Sequence, residues 1–135
     1  MKVLDAEGAI LGRLSSYAAK NILKGEDVII INAEKAVISG KPKIIKGDFE
    51  EKRQRGSRFH GPFYPRYPDR IIRRSIRGMV PYKKTKGKEA MKRLKVYIGS
   101  PENYDNIEKM KKTEESLRCK FIRLVDICRH MGAKI

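Results

Sequence analysis

The chain has 135 residues, of which 32 are Lys or Arg and 16 are Asp or Glu, so its formal net charge at pH 7 is +16. This length suits a single domain, 1–135, and 40% hydrophobic residues are enough for one modest core. No apolar run approaches the ~18–20 residues of a membrane-spanning helix, and no signal-peptide stretch precedes Asp5, so the sequence predicts a cytoplasmic protein with no membrane partner.

The positive charge is concentrated in residues 52–95, called the basic block below. The block holds 16 Lys or Arg and two acids, Asp69 and Glu89, whereas residues 1–51 carry eight basic and eight acidic side chains. A fold gains nothing from this self-repulsion, which a bound polyanion would relieve, and the commonest polyanion is nucleic acid. A membrane surface is a weaker alternative, because the block lacks the wide apolar stripe of an interfacial helix.

The first third of the chain predicts a strand, a helix and a second strand. Residues 2–6 form the first strand, Leu11 to Leu23 have apolar residues at helical spacing, and Asp27 to Asn32 form the clearest strand. Because residues 28–31 are apolar at every position, we expect a parallel sheet covered by helices. The unit is a right-handed βαβ crossover. The predicted fold is a three-layer α/β/α domain with a small, about four-stranded parallel sheet.

The rest of the chain predicts shorter elements separated by basic loops. They are an extended piece at 36–38, a helix at 43–53, an irregular arm rich in glycine and proline at 54–68, a helix at 69–79, a basic loop at 83–88, a helix at 89–95 and a strand at 96–98. A C-terminal extension, 105–135, follows, with loop and fraying helix through 102–116. Near Phe121 the spacing fits a strand or a helix equally well.

Three parts of the basic block have a composition that suits RNA. Four arginines lie on one face of the helix at 69–79, with no acid among them, and their planar forks match phosphate oxygens. The arm at 54–68 interleaves aromatic and basic residues, which suits stacking on unpaired bases, although we expect Phe63 and Tyr64 to pack on the core. Four lysines crowd the loop at 83–88, where Gly87 allows close backbone approach. The predicted RNA-binding residues are Arg13, Lys20, Lys52, Arg53, Arg55, Arg58, Phe59, His60, Arg66, Arg70, Arg73, Arg74, Arg77, Lys83, Lys84, Lys86, Lys88, Lys92, Arg93 and Lys95.

Signals for catalysis, cofactors and metals are poor. Ser39-Gly40-Lys41 lacks the rest of a phosphate-binding loop, and His60 has no evident nucleophile beside it. Cys119 and Cys128 lack a metal-binding spacing, so we expect both to be buried as small apolar groups. The sequence therefore predicts no catalytic, cofactor-binding or metal-binding residue and no small-molecule substrate.

Several motifs resemble the universal large-subunit ribosomal protein family number thirteen, over roughly residues 2–104. They are Val3-Leu4-Asp5-Ala6, Leu11-Gly12-Arg13-Leu14, Val28-Ile29-Ile30-Ile31-Asn32-Ala33-Glu34-Lys35, Ser39-Gly40-Lys41, Ile76-Arg77-Gly78-Met79-Val80-Pro81, Gly87-Lys88-Glu89-Ala90-Met91 and Leu94-Lys95-Val96-Tyr97-Ile98-Gly99. The arm and the tail after Tyr104 resemble the archaeal and eukaryotic branch.

This resemblance implies an α/β structural protein of the large ribosomal subunit, without catalysis or cofactor. It also implies binding to large-subunit rRNA early in assembly, with neighbouring large-subunit proteins as further partners. Two other functions stay open on the residues alone. An RNA-processing or RNA-modifying enzyme would need converging acids or a pocket near Asp5, Asn32 and Gly99, and a DNA-compacting protein would bind duplex DNA as well as folded RNA.

Overall fold

The computed structural model describes residues 1–111 and 113–135. Its α-helices and β-strands follow one another along the whole described chain. The helices are α1 (Leu11–Leu23), α2 (Pro42–Gln54), α3 (Pro68–Gly78), α4 (Thr85–Lys92) and α5 (Leu124–His130), and the strands are β1 (Lys2–Asp5), β2 (Val28–Ile31), β3 (Val37–Ser39), β4 (Leu94–Val96), β5 (Ile107–Lys109) and β6 (Phe121–Arg123).

Four strands form a parallel sheet in the order β4-β2-β1-β5. The β1–α1–β2 unit joins neighbouring strands, with Leu4 in register with Ile30, as its apolar patterns predict. One face of the sheet, which includes Leu4, Val28 and Ile30, packs with the apolar sides of the helices in the main core. The predicted α/β fold with a small parallel sheet is therefore confirmed.

The other face of the sheet is covered differently from the expected helical layer. Val3, Ile29 and Ile31 point to this face and pack against Tyr97 and Tyr104. These tyrosines belong to the connection between β4 and β5, which lie at opposite edges of the sheet. The connection must cross the sheet in about ten residues, which leaves no room for a helix of ordinary length, so this layer is an irregular segment.

The extended piece predicted at 36–38 is present as β3, but it pairs outside the main sheet. It forms an antiparallel pair with β6, in which Ile38 lies opposite Ile122. The ambiguous segment near Phe121 contains both predicted alternatives, because β6 ends at Arg123 and α5 begins at Leu124. Ile122 and Leu124 are buried in the main core, so the tail is packed onto the domain.

Three parts of the chain differ from the sequence prediction by two residues or more. The helix predicted at 89–95 is α4 and begins at Thr85, and the strand predicted at 96–98 is β4 and begins at Leu94. The loop predicted at 83–88 is therefore wrong from Thr85 onward, and Gly87 is a packing glycine of α4, because a Cβ there would overlap the carbonyl oxygen of Pro81. The prediction of loop and fraying helix through 102–116 was wrong at β5, which pairs with β1 at the sheet edge.

The helices pack through the residues that the periodicity assigned to the core. Ile71, Ile72 and Ile76 of α3 are fully buried, as are Leu14 and Ile22 of α1. The arginines of α3 are thereby held on the opposite side of that helix. Within the described part of the chain, no helix is both long enough and apolar enough to cross a membrane.

Candidate nucleic-acid interface

Adjoining grooves between α3, α4 and β4 form the centre of the basic surface. One groove is lined by Arg70, Arg73, Arg74 and Arg77 together with Pro65 of the arm. The next shares Arg73 and Arg77 and adds lysines of α4, Lys88 and Lys92. A third runs from Arg70 and Arg73 to Lys95 in β4. The structure therefore brings together cations that lie up to 25 residues apart in the sequence.

Arg73 differs from the other arginines of this face, because its guanidinium is bonded within the protein. One terminal nitrogen donates to the carbonyl oxygen of Leu94 at 2.7 Å, and the other donates to that of Met91 at 3.0 Å. These carbonyls lie at the end of α4 and the start of β4. Arg73 therefore ties α3 to the α4–β4 junction through backbone carbonyls, a kind of partner that the absence of acids among the four arginines did not indicate.

Two further arginines of α3 lie against tyrosine rings. The guanidinium carbon of Arg74 is 4.7 Å from the ring centroid of Tyr64, and that of Arg77 is 5.1 Å from the ring centroid of Tyr82. Such contacts hold a cation in place through the ring quadrupole, with no negative charge to neutralise it. Burial raises the pKa of Tyr64 while Arg74 acts to lower it, so the ring is a neutral support at physiological pH.

The start of α4 concentrates positive charge at the end of a helix. Lys83 and Lys84 precede the helix, Lys86 and Lys88 lie in its first turns, and the first turn contains no acid. All four lysines are exposed. Because the N-terminus of a helix already carries a partial positive charge, these lysines add to a potential that favours an anion.

The arm between α2 and α3, residues 55–67, is anchored at one end and open at the other. Tyr64 packs edge-on against Phe49 of α2, with ring centroids 5.9 Å apart, and Lys52 lies 5.0 Å from the Phe49 centroid. Phe59 and Phe63 are 80% and 71% exposed. The expectation that Tyr64 packs on the core is confirmed, whereas the same expectation for Phe63 was wrong.

The remaining residues predicted in the arm are exposed around its tip and base. Arg55 forms an ion pair with Glu51 at 2.6 Å, and Arg58 lies 5.7 Å from the centroid of Phe59. His60 and Arg66 are exposed, and Arg53 is half-buried at the end of α2. The base of the arm adjoins the α3 grooves, because Arg74 of α3 contacts Tyr64 and Pro65 lines the same groove as the α3 arginines.

Acid partners are rare in the basic block. Across the described residues, Arg55 is the one cation of the block in an ion pair, and its partner Glu51 lies outside the block. Asp69 and Glu89, the two acids of the block, form none. The charge that the sequence concentrates in residues 52–95 is therefore left largely without counter-charge in the folded chain.

The two residues predicted on α1 lie apart from these grooves. Arg13 and Lys20 flank Tyr17 on one face of the helix, and the Tyr17 hydroxyl hydrogen-bonds Glu108 of β5 at 2.7 Å. Because β5 and β4 are opposite edges of the sheet, this face is turned away from the α3–α4 grooves.

Lys92 and Lys95 are exposed at the β4 side, and Arg93 beside them is half-buried.

The polar residues at the strand ends are bonded to one another. Asp5 accepts hydrogen bonds from the Asn32 side chain at 2.9 Å and from the Glu7 backbone at 3.0 Å, and Glu34 accepts one from the Gly99 backbone at 2.9 Å. Asn32 has a left-handed backbone, with φ of 54°. These hydrogen bonds hold the ends of β1, β2 and β4 together, so Asp5 and Glu34 have a structural role here.

The two cysteines have different environments. Cys128 is fully buried in α5, and its burial, with a smaller contribution from Asp69, raises the pKa of the thiol to about 12. Cys119 is exposed, so the expectation that both cysteines are buried was wrong for this residue. Among the residues that the structure describes, no group of three or more His, Cys, Asp and Glu side chains could hold a metal ion.

Sequence reasoning missed three aromatic residues that shape this surface. Tyr64 and Tyr82 support arginines of α3, and Phe63 is exposed in the arm. Each stands within a few residues of an arginine or lysine in the sequence, which was an available signal. The signal could not say which aromatic faces the core, because an irregular segment has no periodicity.

The fold and the surface define a small, basic α/β protein whose surface cations are largely uncompensated. The family model of ribosomal protein L13 matches residues 1–103. The large ribosomal subunit protein uL13 of Methanocaldococcus jannaschii is 48% identical over 138 residues, which cover 99% of both chains. That of Methanosarcina barkeri is 46% identical over 139 residues with the same coverage, and that of Methanopyrus kandleri is 58% identical over 99 residues, 73% of this chain and 62% of the relative.

The chain therefore belongs to the ribosomal protein L13 family, and its role is that of a structural, non-enzymatic protein of the large ribosomal subunit. The predicted family, the absence of catalysis in that family and the ribosomal location are confirmed. Two of these archaeal relatives align along the tail that the family model leaves out, in agreement with the predicted branch.

Proposed function

We propose that this chain binds large-subunit rRNA directly and stabilises its tertiary fold early in assembly. The observation that carries the proposal is the state of the basic block, which has 16 cations and one ion pair to an acid within the described chain. Folded RNA brings phosphates close together, and cations held on a rigid surface relieve their repulsion. Neighbouring large-subunit proteins would be further partners of the single domain.

The way in which the cations are held supports backbone recognition. Arg74 and Arg77 rest on tyrosine rings, and neutral rings leave the full positive charge available. Exposed lysines at the start of α4 add point charges that suit phosphate oxygens without a fixed geometry. Recognition would therefore follow the shape of the RNA and the spacing of its phosphates more than its base sequence.

An early-assembling protein must bind rRNA before other proteins have shaped it. The test measures binding of the purified chain to protein-free large-subunit rRNA at about 0.2 M salt, a concentration at which weak non-specific contacts are screened. We expect a stable complex with one chain per rRNA and local protection of the RNA backbone. Binding that appears only after other large-subunit proteins are added would contradict the proposal.

The matched control is small-subunit rRNA at the same salt concentration. We expect its binding to be weaker and spread over many positions, because phosphates alone attract the block while the spacing of converging segments selects the site. Equal affinity for both RNAs would mean that the surface binds RNA without specificity, as any polycation does.

A further inference from the structure

The arm encloses a cleft that the family assignment does not explain. Its cavity measures about 500 Å³ and is lined by Arg53, Arg55, Arg58 and Arg66 together with Phe63 and Tyr64. This volume lies within the ~300–1,000 Å³ of small-ligand sites. Four cations and an exposed ring therefore surround a space that is suited to one small anionic group with an aromatic part.

The walls of the cleft are held by contacts within the protein. At the tip, the backbone N–H groups of Ser57 and Gly61 each donate to the carbonyl oxygen of the other at 3.0 Å. At the base, Tyr64 is fixed between Phe49 and the guanidinium of Arg74. Because both ends are fixed, the cleft exists before any ligand arrives, which lowers the entropic cost of binding.

The position of the Phe63 ring is set by its neighbour. Gly61 has φ of +72°, and a Cβ there would lie 3.0 Å from the Phe63 ring, so the glycine leaves the ring its place beside the cleft. The ring remains 71% exposed, and it lines the cleft together with four arginines. An exposed phenylalanine gains nothing from water, whereas the face of a nucleic-acid base would cover it.

We propose that this cleft binds one unpaired nucleotide of RNA, whose base stacks on Phe63 while its phosphate lies among the arginines. The proposal rests on the rRNA binding proposed above and adds which part of the RNA the arm recognises. A nucleotide within a regular duplex keeps its base in the helical stack, so only a bulged, looped or flipped nucleotide can bring both groups into the cleft. The arm would therefore recognise an irregularity in the RNA, while α3 and α4 contact its backbone.

The test compares two short blunt RNA duplexes of equal length, one fully paired and one with a single bulged 2-aminopurine nucleotide. The fluorescence of 2-aminopurine falls when the base stacks on an aromatic ring. We expect the full chain to bind the bulged duplex about tenfold more tightly, which is the effect of stacking one base, and to quench its fluorescence.

Three variants separate stacking from general effects. Phe63→Ala should abolish the preference and the quenching while its affinity for the paired duplex stays that of the wild type. Phe63→Tyr keeps a ring and should keep both. Phe121→Ala removes an exposed ring from β6, outside the arm, and should behave as the wild type. Thermal melting of each variant confirms that it is folded.

Equal affinity of the wild type for the two duplexes, or an unchanged preference in Phe63→Ala, would overturn the nucleotide site while leaving rRNA binding intact. If the wild type binds neither duplex at low salt, the rRNA binding proposed above fails as well, because the basic block would then not attract RNA phosphates.

Discussion

Residues 1–51 and the basic block, 52–95, hold their cations in different ways. In the first region, Lys2 pairs with Glu26 at 3.2 Å and Lys35 pairs with Glu7 at 3.0 Å. In the block, Arg73 is bonded to two backbone carbonyls and Arg74 lies on a tyrosine ring. Both arrangements fix a flexible side chain, but only the first cancels its charge.

Under the proposed function, this difference separates a scaffold from a surface that would bind RNA. An acid partner orders a cation and reduces the field around it, and because residues 1–51 carry eight acids and eight bases this region is nearly neutral to a distant polyanion. Carbonyl oxygens and aromatic rings order a cation through dipoles and quadrupoles, and its net charge remains. The block is therefore pre-organised and still strongly positive, a combination that favours fast and tight association with RNA.

The largest effect on stability is expected at a glycine of the block. Gly87→Ala puts a Cβ onto the Pro81 carbonyl and 2.7 Å from the Tyr82 nitrogen, so the α3–α4 link must move and the free energy of unfolding should fall by about 3 kcal/mol. Urea denaturation measures this loss.

The matched control is Gly12→Ala in α1, where no atom lies within 4 Å of the added Cβ. That change should leave stability equal or raise it by about 0.5–1 kcal/mol through helix propensity. Similar losses at the two glycines would show that the link is not packed against α4 as described.

A smaller effect distinguishes the arginines of α3 from one another. Arg73→Lys keeps the charge but loses the fork that bonds Met91 and Leu94, so the free energy of unfolding should fall by about 1–2 kcal/mol. Thermal unfolding checks this value. Arg70→Lys, at an exposed position of the same helix, should change the free energy of unfolding by less than about 0.5 kcal/mol. A larger loss of stability in Arg70→Lys than in Arg73→Lys would refute the structural role of Arg73.

The tyrosine support predicts a change in affinity without a change in charge. Tyr64→Leu removes the ring that holds Arg74 and the base of the arm. The lost contact with the Arg74 guanidinium is worth roughly 1 kcal/mol of binding free energy, because Arg74 is then no longer held in place. The affinity for rRNA should fall several-fold, while the slope of log K against log salt stays the same, because no cation is lost. Tyr104→Leu, on the far face of the sheet, should leave the affinity unchanged; a lowered slope in Tyr64→Leu would contradict the idea of a neutral support.

The smallest effect concerns the first region. The hydrogen bond and charge of Glu7 raise the pKa of Lys35, so Glu7→Gln should return this pKa toward its ordinary value while stability at neutral pH hardly changes, because the pair is exposed. Since the folded pKa is the raised one, the contribution of the pair is present below pH 10.5 and is lost as the pH rises further. Titration of the Lys35 ammonium by NMR measures the shift, and an unmoved pKa would exclude Glu7 as its cause.

The elements with strong periodicity were predictable from the sequence. The sequence predicts α1 over Leu11–Leu23 with the bounds that it has, and α3 within one residue at each end, because isoleucines and arginines divide that helix into two faces. In contrast, β5 has three residues, all exposed, and exists because its backbone pairs with β1. No hydrophobic pattern in its own residues predicts such a strand.

The candidate site was predictable as a distribution of charge but not as an arrangement. The sequence shows the arginines of α3, yet the carbonyls that bind Arg73 lie 18 and 21 residues further along the chain. The opposite outcomes for Phe63 and Tyr64 have the same cause, since the packing of an irregular arm depends on α2 and α3 and not on its own spacing.

The salt dependence of rRNA binding in two triple variants that lose the same charge tests whether the basic block is the surface that binds RNA. One replaces Arg70, Arg74 and Arg77 by Gln in the block, and the other replaces the exposed Lys24, Lys41 and Lys43 by Gln in residues 1–51. We predict that the first lowers the slope of log K against log salt by roughly 2–3 units, at about 0.7–0.9 per lost phosphate contact, and that the second leaves it unchanged. Equal losses of slope in the two variants would contradict the account, because RNA would then respond to total charge and not to the surface that the block forms.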